Sequence, residues 1–312
     1  MTTPAPQGDP IARRRLVVFA VVAAAAVASA AVYVAVRAIQ ARSGEPDGGG
    51  VAAVAAVGSA PVVLFRNIEP TPQASFGKVG RAPLGPSPGV RSLTTLSCAR
   101  LHYAAGQGLC VEGAESLTEP ASLRTFGSDL VPRWTHTLSG LPSRARVSPH
   151  GRYGAVTVFV TGHGYEDLDM STQTLIIDLR ADAVVADLES FEVRQGGQTL
   201  RSPDFNFWGV TFANDDDRFY ATLASGKKTW LIEGRVSDKR AEALRENAEC
   251  PSLSPDQKRL VYKKRTGKPG EWRLHVLDIA SNEERALAEE RSIDDQVEWL
   301  DDERILYKHG PT

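Results

Sequence analysis

Residues 250–262 (CPSLSPDQKRLVY) decide the fold, because two short apolar runs flank a turn built on proline and an acidic residue. Proline fixes φ at the second position of a tight turn, and the Asp256 carboxylate can accept a hydrogen bond from the backbone two residues on. The apolar run from Leu260 then begins a second strand. This stretch therefore predicts a tight β-hairpin.

The pattern of strand, polar turn and strand recurs along the chain. Copies lie at residues 147–152 (VSPHGR), 212–218 (FANDDDR) and 299–304 (WLDDER). Third strands ending in an acidic residue follow at 175–179 (LIIDL) and 274–279 (LHVLDI), and shorter fourth strands at 243–245 (ALR) and 285–287 (RAL). Helical periodicity is nearly absent after residue 60, so the sequence predicts an all-β domain made of four-stranded units.

The spacing of the units indicates a β-propeller. Equivalent turn positions at His150, Asp215, Asp256 and Asp301 are 65, 41 and 45 residues apart, and intervals of ~40–45 residues are typical of propeller blades. The longer interval contains residues 187–207, a polar stretch that we interpret as an insertion forming loops on one face. The residues from 61 to 312 then suffice for about six four-stranded blades.

The repeat at residues 250–256 and 274–279 resembles the Ser-Pro-Asp, or WD40-like, repeat of TolB-like propellers, including membrane-anchored or secreted actinobacterial ones. The resemblance covers most of residues 145–308 and, less closely, 61–140. Typical WD-repeat chains carry a Gly-His and a Trp-Asp pair in each blade, whereas here Gly-His occurs once and Trp-Asp is absent. The resemblance implies a propeller that takes part in protein–protein interaction at the cell envelope.

The last unit stops about two strands after it begins, so we expect the final blade to be incomplete, and the sequence leaves open whether the chain is truncated at its C-terminus. A propeller commonly removes its free edges by sharing strands between its two ends. Residues 61–66 and 75–81 read as two strands that could join the final half-blade.

Residues 16–36 form an uncharged run of 21 positions directly after three arginines. A helix of this length spans ~30 Å, which matches the hydrocarbon core of a bilayer. We therefore expect a cytoplasmic tail at 1–15, a transmembrane helix or signal anchor at 16–36, a flexible linker at 37–60 and an extracytoplasmic domain at 61–312. The small residues Ala28, Ser29 and Ala30 leave open the alternative of a cleaved signal peptide and a secreted protein.

Charge argues against nucleic-acid binding. The first 42 residues carry five Arg and one Asp, so the whole-chain net charge of −2 leaves about −6 for the rest. No basic stripe is available to neutralise phosphates.

Three cysteines are present, Cys98, Cys110 and Cys250. Outside the cytoplasm thiols tend to pair. Cys98 and Cys110 lie nearly symmetrically about a predicted turn near Ala104 and Ala105, so they could face each other across a hairpin and form a disulfide. A metal site using both thiols and His102 is the alternative, although a fourth ligand and C-x-x-C spacing are missing.

Signatures of catalysis are missing from the sequence. There is no G-x-S-x-G elbow, no His pair at helical zinc spacing and no phosphate-binding glycine loop ahead of a helix. We predict neither enzymatic activity nor a cofactor nor a catalytic metal. The alternative is a propeller enzyme of lactonase, lyase or glycosidase type, and a central channel lined by three or more converging His, Asp or Glu side chains would overturn the binding-module interpretation in its favour.

Two segments are candidates for partner binding. Trp208 belongs to the aromatic stretch 205–210 (FNFWGV), which could be an exposed patch or core between blades. His163 and Tyr165 lie in a glycine-containing loop. The acidic clusters at 166–169 and 215–217 could bind Ca²⁺, or could be ordinary turns of the repeat. We predict a non-enzymatic binding or scaffold module at the cell envelope, for a partner protein, peptide or polymer that the sequence does not identify.

Overall fold

The computed structural model describes residues 28, 62–69, 75–84, 91–113, 119–161 and 171–308. Contacts divide the chain into two compact units, Met1–Gly50 and Val51–Thr312, and of the first unit only Ala28, in a helix, is described. No helix among the described residues is long and apolar enough to cross a membrane. The predicted tail, transmembrane helix and linker lie outside the described residues apart from Ala28, and they stay predictions.

The second unit consists of strands arranged in six sheets, numbered here in chain order. Sheet 1 contains β1 (Val62–Arg66), β2 (Lys78–Pro83) and β3 (Ser92–Ser97); sheet 2 contains β4 (Arg100–Ala104), β5 (Gln107–Glu112), β6 (Pro120–Gly127) and β7 (Pro132–Ser139); sheet 3 contains β8 (Leu141–Val147), β9 (Tyr153–Thr161), β10 (Ser171–Asp178) and β11 (Ala183–Asp187).

The remaining strands continue this order. Sheet 4 contains β12 (Glu192–Gln195), β13 (Gln198–Leu200), β14 (Asn206–Phe212), β15 (Arg218–Ser225), β16 (Lys228–Arg235) and β17 (Arg240–Glu246); sheet 5 contains β18 (Glu249–Leu253), β19 (Arg259–Arg265), β20 (Trp272–Asp278) and β21 (Glu284–Ala286); sheet 6 contains β22 (Glu298–Trp299) and β23 (Ile305–Leu306). Consecutive strands pair antiparallel within each four-stranded unit.

All four predicted hairpins are confirmed, and three of their turns use the predicted Asp carboxylate, whereas in the turn at residues 148–152 Ser148 Oγ accepts the backbone N–H of Arg152 at 3.1 Å. Asp256 Oδ1 accepts the backbone N–H of Lys258 at 3.1 Å, and Asp215 Oδ1 accepts that of Asp217 at 3.1 Å. Asp301 Oδ1 accepts the N–H of Glu303 at 3.0 Å. These short-range bonds end one strand and begin the next, as the repeat predicts.

The sheets follow one another as the blades of a β-propeller. The first strands β1, β4, β8, β14, β18 and β22 contact one another in succession, and a buried apolar cluster fills each interface from sheets 1 and 2 through to sheets 5 and 6. Burying one large aliphatic or aromatic side chain contributes ~1.5–3 kcal/mol, so these interfaces carry most of the stability.

The ends of the ring differ from the prediction. Strands β1 and β2 pair with β3 to make a separate three-stranded sheet, and β22 pairs only with β23. In the described part of the chain no backbone ladder joins sheet 1 to sheet 6. The proposed sharing of residues 61–66 and 75–81 with the final half-blade is therefore not observed among the described strands, because β2 lies between β1 and β3 within sheet 1 and the edge of β1 pairs with neither β22 nor β23.

The insertion also differs from the predicted loops on one face. Residues Leu188–Ser190 form a 3₁₀ turn, and β12 and β13 then form a hairpin. Strand β12 pairs in parallel with β17, the outermost strand of the repeat unit. The insertion thus covers a sheet edge whose backbone groups would otherwise be unpaired.

Close approach of the inner strands β14 and β18 depends on a glycine. Gly209 has φ of +64°, and a Cβ added there would lie 2.7 Å from Cα of Cys250. The pairing register of both strands shifts at this point, between Trp208 and Thr211 and between Glu249 and Ser252. Such bulges bend a strand and redirect its side chains, here beside the centre of the ring.

Candidate functional site

A cavity of about 660 Å³ borders the first strands of several sheets, and this volume lies within the range of ligand-binding pockets. Strands β4 and β8 contribute the cationic and imidazole side chains Arg100, His102, Arg144 and Arg146. The members of each pair are two residues apart, so they project from the same side of their strand.

The carboxylates of the cavity come from the segment that leads into sheet 6. Asp294, Asp295 and Glu298 line it, together with Gln296. Aliphatic side chains of sheets 1 and 6 and their flanking residues complete the wall: Val62, Val63, Leu64, Leu84, Leu300 and Leu306. Charged groups from sheets 2 and 3 therefore share one cavity with an apolar wall from sheets 1 and 6.

Glu298 is the meeting point of the polar groups. His102 Nε2 lies 3.1 Å from Glu298 Oε2, and Arg146 Nη1 donates to the same oxygen. Burial opposes ionisation, but the Arg146 guanidinium and His102 outweigh it and hold the pKa of Glu298 at about 2. This carboxylate is therefore ionised at neutral pH and is not a proton donor.

His102 uses both ring nitrogens. The backbone N–H of Val147 donates to Nδ1 at 3.0 Å, which places the ring proton of a neutral imidazole on Nε2, facing Glu298. A general base needs an accessible lone pair within reach of the substrate. With Nδ1 accepting and Nε2 donating, the imidazole orients Glu298 and has no lone pair left for a substrate.

Asp294 belongs to a second set of charges behind the cavity wall. The ammonium group of Lys263 is fully buried and contacts the Asp294 carboxylate. It lies 3.7 Å from the fully buried Glu249, which Arg265 Nε also approaches at 2.6 Å. Burial raises the pKa of Asp294, but Lys263, Arg144 and Arg265 lower it further, so the group stays ionised.

The segment from residue 294 to residue 299 is fastened to several inner strands. The Gln296 side-chain amide donates to the carbonyl oxygens of Val210 at 3.0 Å and Pro251 at 2.8 Å. Trp299 Nε1 donates to the Ser252 carbonyl at 3.0 Å. Side-chain bonds thus hold sheet 6 in place.

The predicted disulfide between Cys98 and Cys110 is confirmed, with Cα atoms 5.4 Å apart. It does not span facing strand positions, because the partner of Cys110 in the β4–β5 register is Leu101 and Cys98 precedes β4. The bond joins the connection between sheets 1 and 2 to strand β5. The metal alternative is wrong because both thiols are consumed and His102 faces the cavity.

The other candidates predicted from the sequence are buried, lie outside the described residues or bind neighbouring groups. Trp208 is fully buried with Phe159 and Cys250 between sheets, so it offers no surface to a partner and the core alternative is the observed one. His163, Tyr165 and the acidic cluster 166–169 lie outside the described residues. The carboxylates of residues 215–217 bind separate neighbours, namely the Arg218 backbone, Ser148 and Arg235.

Cys250 is a free, buried cysteine, as the pairing of the other two requires. Arg144 Nη2 donates to its sulfur at 3.8 Å. Burial raises the pKa of the thiol, so it is a neutral packing group at physiological pH.

The cavity residues Arg100, Arg144, Arg146, Asp294 and Glu298 were missed in the sequence. One signal was available, since Arg144 and Arg146 alternate with small and apolar residues in a strand just before a repeat turn. An alternating pattern in a buried inner strand places charge toward the channel. The pairing of His102 with Glu298, 196 positions apart, left no local signal.

Comparisons with known proteins concern the fold. No family model matches the sequence, and no curated protein matches it. Solved structures that resemble the chain include TolB from Acinetobacter baumannii (TM-score 0.45, 15% identity, 75% of this chain and 55% of that chain). A nidogen/laminin complex gives a TM-score of 0.47 at 11% identity over 74% and 79%.

Hydrazine synthase from Kuenenia stuttgartiensis also resembles the chain, with a TM-score of 0.44 and 11% identity over 72% of this chain and 62% of that one. The chain thus spans less than two thirds of the TolB and hydrazine synthase chains. The TolB and nidogen structures are β-propellers. At these TM-scores and identities, neither a ligand nor an activity of this chain follows from the likeness.

Proposed function

We propose that this chain is a non-enzymatic binding module, tethered outside the cytoplasmic membrane, whose central cavity receives part of a partner protein. One observation carries the proposal: the His, Asp and Glu side chains of an open cavity of about 660 Å³ are already engaged by neighbouring groups. Such a cavity offers a partner a concave surface with charged groups. Its carboxylates and its imidazole are already bonded to neighbouring groups of the chain.

The test is capture of partner proteins from envelope extract by the full chain. We expect Arg144→Glu to abolish the capture, because it reverses a charge in the cavity wall. The matched control is Arg201→Glu, an equal charge change at an exposed site outside the cavity. Thermal melting of each variant separates lost binding from lost folding. Equal capture by both variants would overturn the proposal.

The tether is supported by sequence alone, through residues 16–36 and the arginines before them. Protease added to intact spheroplasts should remove an epitope fused after Thr312 while sparing a cytoplasmic control protein. An epitope that the protease removes only after lysis would place the domain in the cytoplasm and contradict this part of the proposal. A free form in the medium would favour cleavage after Ala30.

A propeller enzyme is the second candidate, and one observation favours it: His102, Asp294, Asp295 and Glu298 converge on the cavity. This meets the criterion set from the sequence. Against it stand the engaged imidazole of His102 and the low pKa of Glu298. An enzyme predicts that Glu298→Gln abolishes turnover of a lactone or glycoside substrate found by screening, whereas a binding module shows no turnover in either form.

A further inference from the structure

The cavity combines two chemically different walls. Arg100, Arg144 and Arg146 project from sheets 2 and 3, and the aliphatic residues come from sheets 1 and 6. The positive charge is in slight excess, since Lys308 also lines the cavity, giving four cations against three carboxylates. A positive cavity in a domain of net negative charge favours an anionic group on the ligand.

Arg146 is the cavity arginine whose position is most closely fixed. Its side chain is 9% exposed, and its Nη1 and Nη2 groups bond to Glu298 and the Val297 carbonyl. Its Nε is buried and has no hydrogen-bond partner among the described residues. Buried N–H groups are normally paired, so Arg146 keeps one donor that its neighbours do not use.

The cavity wall also presents strand edges. Three consecutive residues of β1 and three of β8 line it (Val62 to Leu64 and Arg144 to Arg146), and each of these strands is the first in its sheet. Consecutive side chains of a strand point to opposite faces, so a run that borders one cavity presents the edge, with its backbone groups. Backbone donors and acceptors of this kind suit an extended peptide.

Resting on the proposed function, we propose that the cavity binds the carboxyl-terminal end of a partner protein, with aliphatic residues preceding the terminal carboxylate. The carboxylate lies against Arg146 and the neighbouring arginines, and the aliphatic side chains lie against Val62, Leu64 and Leu306. A chain terminus places its charge at one end of an apolar segment. This matches cations on sheets 2 and 3 and aliphatic groups on sheets 1 and 6.

The test is fluorescence anisotropy of the full chain with three labelled peptides. The first is Gly-Ser-Val-Ala-Val-Leu with a free carboxylate, the second is the same peptide amidated, and the third is amidated with glutamate replacing the central alanine. We expect the free acid to bind at least about tenfold more tightly than both others, as a charge-assisted hydrogen bond requires. Equal binding of acid and amide overturns the proposal, and preference for the glutamate peptide assigns the site to side-chain carboxylates instead.

Arg146→Lys sharpens the assignment, because it keeps the charge and removes the Nε donor. We expect about a tenfold loss for the free-acid peptide and no change for the amidated one. Arg201→Lys is the matched exposed control and should leave both affinities unchanged. Should Arg146→Lys fail to fold, the comparison of acid and amide on the unaltered chain still decides. Capture of a partner that depends on Arg144, without preference for the acid, would keep the proposed function and remove this inference.

Discussion

The four middle sheets, 2 to 5, pack against a neighbouring sheet on both faces, whereas each of the terminal sheets, 1 and 6, shares an apolar cluster with one neighbour. Each middle sheet has at least four strands and packs apolar clusters on both faces, such as Leu109 with Val156 and Phe212 with Tyr153. Sheet 6 has two strands and is fastened by Glu298, Asp294, Gln296 and polar groups of other sheets. Burial of apolar area is nondirectional and repeats easily, whereas ion pairs fix one particular arrangement.

This difference concerns function as well as stability. The cavity lies where apolar clusters are missing among the described residues, between sheets 1 and 6, and its polar groups are the ones that hold sheet 6 in place. Recognition and the placement of sheet 6 therefore depend on the same side chains. The following substitutions test that division, from the largest expected effect to the smallest.

Lys263→Met should destabilise the domain by ~3 kcal/mol, because it leaves the buried Glu249 with one cationic partner and removes the contact between sheets 5 and 6. Chemical denaturation monitored by tryptophan fluorescence measures the loss. Lys268→Met, at a side chain 77% exposed, is the control and should stay within ~0.5 kcal/mol. A loss below ~1 kcal/mol for Lys263→Met would show that charge does not hold sheet 6.

Removing the disulfide should cost ~2–3 kcal/mol, since it closes a loop of 12 residues at the junction of sheets 1 and 2. We expect the Cys98→Ser/Cys110→Ser double variant to unfold at lower denaturant concentration than the unaltered chain. Added reductant should lower the midpoint of the unaltered chain and leave the double variant as it is. Thiol counting confirms reduction, and an unchanged midpoint after complete reduction contradicts the prediction.

Glu189→Gln tests the carboxyl group of Glu189, which lies in the 3₁₀ turn between sheets 3 and 4. Burial and the neighbouring Asp187 raise the pKa of Glu189 to about 9, while its carboxyl accepts from Thr172 Oγ1 and the Thr174 N–H. Because the folded state holds the proton more tightly, the stability that it contributes is complete below pH ~4.3 and is lost as the pH rises toward 9.

Glutamine does not titrate, so Glu189→Gln should gain ~2 kcal/mol relative to the unaltered chain between pH 5 and 9. Denaturation midpoints at pH 5, 7 and 9 measure the gain. Glu242→Gln, at a partly exposed residue of strand β17, is the matched control. A constant difference for Glu189→Gln across the pH range would exclude a protonated Glu189.

Glu298→Gln should have the smallest effect on stability, ~1 kcal/mol at pH 7, because half of this side chain is exposed and water screens the ion pair. Its lowered pKa makes the contribution complete above pH ~4.3 and lost as the pH falls toward 2. Melting curves at pH 7, 5 and 3 should therefore show a difference that is complete at pH 7 and only partly reduced at pH 3, because a carboxyl with a pKa of about 2 is still largely ionised there. A difference that has already vanished at pH 3 would contradict the depressed pKa.

Much of the fold was predictable because its signals are local. The turn at Ser254, Pro255 and Asp256 specified a hairpin through bonds spanning two residues, and the same chemistry recurs at Asp215 and Asp301. The disulfide pairing also followed from two cysteines close in sequence. The burial of Trp208 could not be predicted from the sequence, because an aromatic residue fits a surface patch and a core equally well until its neighbours are known.

The sequence by itself determined the repeating strands, their turns, the disulfide and the order of the sheets, because each depends on residues near one another in the chain. Only the tertiary structure decided how the ring ends and what its centre contains. Arg146 and Glu298 are 152 positions apart and meet because successive sheets turn their first strands toward one axis. Contacts between such distant residues arise from the packing of whole sheets, and a local pattern does not encode them.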